Sequence, residues 1–360
     1  MKKITLAIDA ITIKSQGGIV HLDGILHNFN NKNIKKIYVL VNNIALKSLA
    51  NKKKYSKKIV FISKNVFNTN NFFIFFWQLF HCDNYLKKKD CTHLISLCGY
   101  YFGNFNKTVI FSQNALPFVD IKGYNFFYKL KLFLQKKAQI SSIKKFKKVI
   151  FVSKFQKSLI KKNLSNFRIN NKVIYHGIND KIKRKKNYKN TYKKFLYVSQ
   201  INLYKNQINL INAFNNLIRK GYKIKLDCFG HNHIDLFSKN KYIKINKSIN
   251  QEKINKIYHE YDVFIFPSMV ESFGLPILEA ARSGLPICCS NLNVFKEVLN
   301  KKNLIIFNAK KTTDIENKIV KVISTKQKKL KKIVKENYER SIKYNWKTSS
   351  NEFFNFIEKI

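Results

Sequence analysis

Apolar residues along this chain fall into short continuous runs, separated by stretches in which they recur at helical spacing. "KITLAIDA" (3–10), "IKKIYVLV" (34–41), "KKIVFIS" (57–63), "THLISL" (92–97), "KTVIFS" (107–112), "KKVIFVS" (147–153) and "NKVIYHG" (171–177) are runs of the first kind. They do not alternate apolar with polar, so they predict strands covered on both faces, as in a parallel sheet. A loop, "ITIKSQGG", leads into a helix starting near Ile19, and an amphipathic helix is expected over 124–143. After Gly177 the stretch 178–194 turns polar and basic. The rhythm then restarts with "FLYVSQ" (195–200), "KIKLDCFG" (223–230), "KYIKIN" (241–246), "DVFIFPS" (262–268), "GLPICCS" (284–290) and "NLIIFN" (303–308). Helices are expected between them at about 206–219, 250–260, 276–283 and 314–337. A β-α alternation repeated twice predicts an α/β chain of two doubly wound, Rossmann-like domains. Ligands of such sheets bind beyond the carboxyl ends of the strands, so a site is expected in a central cleft that the two domains face.

Composition changes this picture little. The chain has 360 residues and a formal net charge of +49. Of the 69 basic residues, 64 are Lys and 5 are Arg, and Asn occurs 44 times. Lys, Asn, Ile and Phe share A/T-rich codons, so the charge follows from codon bias as readily as from a polyanion partner. The Arg that reads guanine and phosphate bidentately is scarce, so no nucleic-acid partner is expected. Residues 1–180 hold 32 basic residues against 6 acidic ones, all Asp; residues 181–360 hold 37 against 14. An N-terminal half so poor in acids suits an anionic membrane surface, and equally a solvated Lys-rich face. The six cysteines form no C-x-x-C pair, which fits a reducing cytosol. Asp9 interrupts the first apolar run too early for a signal peptide. The apolar run 72–80 is less than half of the roughly 20 residues a spanning helix needs.

The most informative stretch is "ESFGLPILE" (271–279), directly after the strand "DVFIFPS" and before "AARSGLP". Pro276 lacks an N–H and is tolerated in a helix's first turn, so a helix is expected to begin near Leu275 or Pro276. Ser272, Phe273, Gly274 and Leu275 would then present backbone amides at a helix N-terminus, a ready anion site. Gly274 would let the backbone approach a ligand closely. Glu271 lies ahead of that turn and Glu279 about one turn inside the helix. Carboxylates flanking an anion site repel phosphate; they suit neutral hydroxyls on either side of it, such as those of sugar rings.

The segment "PS…ESFGLPILEAARSGLPICCS" resembles the E-x(7)-E signature of family 4 retaining glycosyltransferases, of GT-B fold. The resemblance runs through most of the chain. It implies an N-terminal acceptor-side domain over 1–178, a C-terminal nucleotide-sugar-binding domain over 179–344, and a helix over 345–360 that crosses back to the first domain with Trp346 as its anchor. "YVSQINLYKNQINLINAF" (197–214) resembles the strand–helix where an Arg and a Lys, five residues apart, hold the donor diphosphate: Lys205 matches the Lys, and Gln200 stands at the Arg position. "SQGG" resembles the glycine pair whose loop backbone approaches the donor, here Gly17 and Gly18. "FSQNALPF" (111–118) resembles the loop that places a His beside the transferred sugar; here Gln113 and Asn114 take that place, and neither carries a proton at neutral pH. "KVIYHGIN" (172–179) carries His176 where Asn is usual, and that histidine reads as a loop residue. Ser153 reads equally as a site residue and as a helix N-cap.

The resemblance implies that Glu279 binds the ribose hydroxyls and Glu271 those of the donor sugar. It implies that Lys205 and the 272–275 amides offset charge on the leaving diphosphate. No metal and no cofactor are expected, since the chain contains no Asp-x-Asp; the donor would be a UDP- or GDP-sugar of hexose type. The acceptor would be a glycan or lipid-linked glycan in cell-surface polysaccharide or lipopolysaccharide synthesis. The expected place is the cytoplasm, peripheral to the inner face of the plasma membrane. The alternatives are a nucleotide-sugar epimerase on the same scaffold, or a non-enzymatic binder of polyanions or membranes. In "YNFFYKLKLFLQKKAQISSIKKFKK" (124–148) aromatics and lysines mix at helical spacing. One reading packs Phe126, Leu130, Phe133 and Leu134 into the core; the other docks them on anionic lipid.

Overall fold

The computed structural model describes residues 3–49, 54–164, 167–185, 193–249 and 251–360. They form two compact units, one of residues 1–118, 126–177 and 345–360, the other of 119–125 and 178–344. The short segment 119–125 thus groups with the second unit, although the sequence reading places it in the first.

In the first unit the apolar runs become β1 (Ile4–Ala10), β2 (Ile34–Val41), β3 (Ile59–Ile62), β4 (His93–Ser96), β5 (Thr108–Ser112), β6 (Lys148–Phe151) and β7 (Asn170–Val173). They form one parallel sheet in the order β3-β2-β1-β4-β5-β6-β7. Its helices are α1 (Gln16–His27), α2 (Asn43–Ser48), α3 (Asn71–Trp77), α4 (Asp83–Lys87), α5 (Phe126–Phe146) and α6 (Lys154–Lys161). β1 and β5 are buried at every position, which is why their runs do not alternate. Right-handed crossovers send α1 and α2 to one face of this sheet, where the chain steps leftwards, and α3–α6 to the other, where it steps rightwards. One core cluster accordingly gathers Ile74 and Trp77 of α3, Leu86 of α4, Ile143 of α5 and Ile160 of α6.

In the second unit β8 (Lys194–Val198), β9 (Lys225–Phe229), β10 (Ile243–Asn246), β11 (Val263–Phe266), β12 (Ile287–Ser290) and β13 (Ile305–Phe307) form a parallel sheet in the order β10-β9-β8-β11-β12-β13. Its helices are α7 (Gln207–Arg219), α8 (Gln251–Glu260), α9 (Leu275–Arg282), α10 (Asn293–Val298), α11 (Thr312–Ser324) and α12 (Gln327–Ile342). The single helix expected over 314–337 is therefore two. Thr325 and Lys326 are extended between them, and the Thr325 hydroxyl donates to the Lys321 carbonyl at 2.6 Å, closing the end of α11. No Gly or Pro marks that break in the sequence.

The chain ends on α13 (Trp346–Glu358), which belongs to the first unit. Its buried face is Trp346, Ser349, Ser350, Phe353, Phe354, Phe356 and Ile357, laid against α1. Ser350 Oγ donates to the Ile25 carbonyl at 2.8 Å and Ser349 Oγ to the Tyr175 carbonyl at 2.7 Å. A Cβ on Gly24 would lie 2.2 Å from the Trp346 ring, and one on Gly177 would lie 2.3 Å from the Trp346 amide. Only hydrogen fits at either place, so the Trp346 indole requires Gly24 and the backbone that carries it requires Gly177. His176 is buried beside them, in irregular chain, with its Nδ1 2.9 Å from Nδ1 of His21. Burial drives the pKa of His176 down to about 3 and that of His21 well below the usual value, so both rings are neutral.

Candidate functional site

In the second sheet the strand order reverses between β8 and β11, and this is the point where open α/β sheets place their ligands. The chain leaves β8 through Gln200 and a short 3-10 turn, Leu203–Lys205, before α7. Asn202 caps that turn, its side chain accepting from the Lys205 amide at 3.2 Å. Asn206 is left-handed (φ 61°), and its side-chain Nδ2 donates to the Ala309 carbonyl at 2.6 Å. These constraints bury Lys205 at the switch point. From β11 the chain runs through Pro267 and Ser268 to Glu271 and α9.

Lys205 Nζ forms a close ion pair with Glu271 Oε1; the side chains are 9% and 11% exposed. The ammonium also lies 5.2 Å from the centre of the Phe266 ring and 5.3 Å from that of Tyr204. Burial works against its charge, but Glu271 and Tyr204 more than offset this, and its pKa is raised above the ordinary lysine value. The site therefore holds a fixed, water-poor positive charge with its counter-ion already in place.

Gly274 caps α9 in a left-handed conformation (φ 95°), Pro276 falls in the first turn, and α9 begins at Leu275, as the spacing predicts. The fold by itself requires a glycine at 274. Its φ excludes other residues, and a Cβ there would meet the Phe295 ring at 3.0 Å, so its side faces packing rather than an open surface. Phe273 is buried with its ring on Tyr344, and the amides of Gly274 and Leu275 make no backbone hydrogen bond among the described residues. Glu279 is buried one turn into α9, where Tyr258 of α8 donates to its Oε2 at 3.0 Å. Burial first, then Glu279, pushes the Tyr258 phenol well above its ordinary value, so it stays a donor.

Gln200 is half-buried at the end of β8, with its carbonyl held by the Tyr197 hydroxyl and by Gln207 Nε2, each at 2.9 Å. No cation stands at that position. Two further residues lie beside this site and are not among those expected from the sequence: Tyr258 and Gly230. Tyr258 lies inside an ordinary helical stretch. Gly230 follows β9 so closely against β8 that a Cβ would lie 1.8 Å from the Ser199 carbonyl; a glycine just after a strand, beside a switch-point loop, is the signal that points to it.

The first unit carries the remaining expected residues. Gly17 and Gly18 are not in a loop: Ser15 accepts from the Gly18 amide at 3.3 Å, and α1 starts at Gln16 instead of near Ile19. Gly18 is a packing residue, since a Cβ would lie 2.7 Å from Ile13 Cγ2, whereas Gly17 has open space around it. Asn114 is exposed, its Oδ1 accepting from the Leu116 amide at 3.0 Å, and Gln113 is tied to the Leu97 carbonyl at 2.9 Å. Ser153 caps α6, accepting from Gln156 at 3.0 Å. Asp9, at the carboxyl end of β1, is fully buried among Gln78, Ser96 and Cys98; burial raises its pKa to about 6.

Residues 178–340 match the family model described as glycosyl transferases group 1. Among curated proteins, 178 residues are 31% identical to the O-antigen chain mannosyltransferase RfbU of Salmonella typhimurium, covering 46% of this chain and 48% of that one. A further match is the O-antigen chain mannosyltransferase B of Escherichia coli, 32% identical over 89 residues, 25% of this chain and 23% of that one. The chain thus spans at most about half the length of these relatives. Among solved structures, sucrose-phosphate synthase from Thermosynechococcus elongatus superposes with a TM-score of 0.79 at 12% identity, covering 99% of both chains. Anabaena HepE, solved with UDP and glucose, gives 0.72 at 13% identity, over 99% of this chain and all of that one. At such identities the likeness establishes the fold, two Rossmann-like domains of GT-B type. Residues 178–340 are thus similar to a glycosyl transferases group 1 domain, set in a chain of GT-B fold.

Proposed function

We propose that the protein is a retaining glycosyltransferase that moves a hexose from a UDP- or GDP-sugar to a glycan or lipid-linked acceptor. Its place would be cell-surface polysaccharide or lipopolysaccharide assembly on the cytoplasmic side. The observation that carries this reading is the buried Lys205–Glu271 pair at the switch point of the group 1 domain. The O-antigen mannosyltransferases among the relatives and the UDP-bound HepE support the substrate class.

In this reading the donor diphosphate draws Lys205 away from Glu271 and takes the amides of Gly274 and Leu275, at the positive end of α9. The freed Glu271 carboxylate accepts from hydroxyls of the sugar, and Glu279, oriented by Tyr258, from those of the ribose. The bond between the anomeric carbon and the diphosphate breaks, a bond to the acceptor oxygen forms on the same face, and the acceptor's proton is released. Negative charge builds on the departing diphosphate, where Lys205 stands. No metal or cofactor takes part. Incubation with a panel of UDP- and GDP-sugars, reading free nucleoside diphosphate and stereochemistry of the product, tests this. A nucleotide sugar epimerised in place, with no diphosphate released, would overturn it.

A further inference from the structure

Among the described residues fifteen large apolar side chains are exposed, and nine of them lie on one layer of the first unit. Four are on α3 and the π-helical turn that follows it: Phe72, Phe73, Phe76 and Phe80. Five are on the first half of α5: Phe126, Phe127, Leu130, Phe133 and Leu134, with Phe126 and Phe127 73% and 79% exposed. This corrects the expectation that Phe126, Leu130, Phe133 and Leu134 enter the core. The cause is length. α5 has 21 residues, about 31 Å, whereas its neighbour β5 has 5, about 16 Å. Only its later part is held, with Gln139, Ser142 and Ile143 buried. Ser142 Oγ accepts from the Tyr101 amide at 3.0 Å and Lys145 donates to the Gly103 carbonyl at 2.8 Å. The first half of α5 therefore runs on past the carboxyl edge of the sheet. α3 follows β3 from the same edge and, by crossover hand, covers the same face. A link between them is visible: Phe75 of α3 packs on Phe102 at 4.6 Å, in the loop that also receives Ser142 and Lys145 of α5.

Lysines interleave with this apolar layer. Lys129, Lys131 and Lys137 of α5 are exposed, and α5 contains no acidic residue. A patch of this size marks an interaction surface. Its charge selects the occupant: a second copy, also at +49, would set lysine against lysine, whereas an anionic lipid surface takes both the phenylalanines and the lysines. We propose that α3 and the first half of α5 dock the protein onto a bilayer bearing anionic phospholipid headgroups. The inference stands apart from the transfer reaction, because docking needs no donor.

The experiment is vesicle sedimentation of the full chain, without nucleotide sugar. It compares pure phosphatidylcholine with phosphatidylcholine containing about a third phosphatidylglycerol, at low and at high salt. The expected result is pelleting with the anionic vesicles alone, weakened by salt. Phe127→Ser/Phe133→Ser and, separately, Lys129→Glu/Lys131→Glu should each weaken binding at least tenfold while circular dichroism and melting temperature stay unchanged, as these side chains are exposed. Equal binding to neutral vesicles, binding indifferent to either double variant, or no binding by a chain that sediments as a dimer would each overturn the proposal. None of these results touches transfer to a soluble acceptor, which is assayed separately.

Discussion

Lys205→Met removes one charge of the Lys205–Glu271 pair and keeps most of the side-chain volume. Both side chains are about nine-tenths covered, so the remaining Glu271 carboxylate stays in a site where water is scarce. Stranding one member of a buried pair costs about 3–5 kcal/mol. At 2–4 °C per kcal/mol for a unit of this size, the melting transition of the second unit should fall by roughly 6–20 °C. Glu271→Leu should cost a similar amount, since it strands the ammonium. The double variant should recover most of the loss, because two apolar groups leave nothing unpaired. A double-mutant cycle followed by calorimetry reads the coupling. Stability alone does not distinguish a structural pair from a functional one. Titration calorimetry with UDP- and GDP-sugars, below every melting transition, does. A charge-assisted contact to the diphosphate is worth about 1.5–3 kcal/mol, so Lys205→Met should weaken donor binding roughly 10- to 150-fold. Binding unchanged within about twofold, in a variant that melts as predicted, would refute the donor role of Lys205 and leave the pair a structural clamp.

Three other outcomes follow from geometry. Gly24→Ala would drive a methyl group into the Trp346 ring and should cost about 1–3 kcal/mol, whereas Gly17→Ala, in open space on the same helix, should gain about 0.5–1 kcal/mol; chemical denaturation separates the two signs. Folded, Asp9 keeps its proton up to about pH 6; unfolded, it loses it near 3.8, so between these values raising the pH releases protons on unfolding and lowers stability, by about 3 kcal/mol in all. Asp9→Asn should flatten that part of the melting-temperature profile, and an unchanged slope would place the charge elsewhere. Donor turnover should be insensitive to EDTA, measured as diphosphate release; a loss restored by a divalent cation would contradict the assignment of charge compensation to Lys205 and α9.

The sheets were readable from sequence because a strand buried on both faces writes itself as an unbroken apolar run, and β1, β5, β11 and β12 are buried throughout. The start of α9 was readable because Pro276 and Gly274 each tolerate few backbone states. The break between α11 and α12 was not, since Thr325 and Lys326 are extended by context and not by residue type. The Lys205–Glu271 pair joins residues 66 apart, which only the adjacency of β8 and β11 brings together. The fate of α5 was hidden for another reason: its apolar spacing is the same whether it packs on a sheet or projects beyond one.

Trp346 and the helix it begins also bear on how the chain is made. The first unit needs α13, yet the whole of 178–344 is synthesised before it. At about 5–20 residues per second this is a delay on the order of 10–30 s, during which the α1 face of the first sheet lacks its cover. For that interval Ile25, Phe29 and Gly24 lack the α13 side chains that cover them in the folded unit. A chain cut before Trp346 would keep its second unit whole and lose the first.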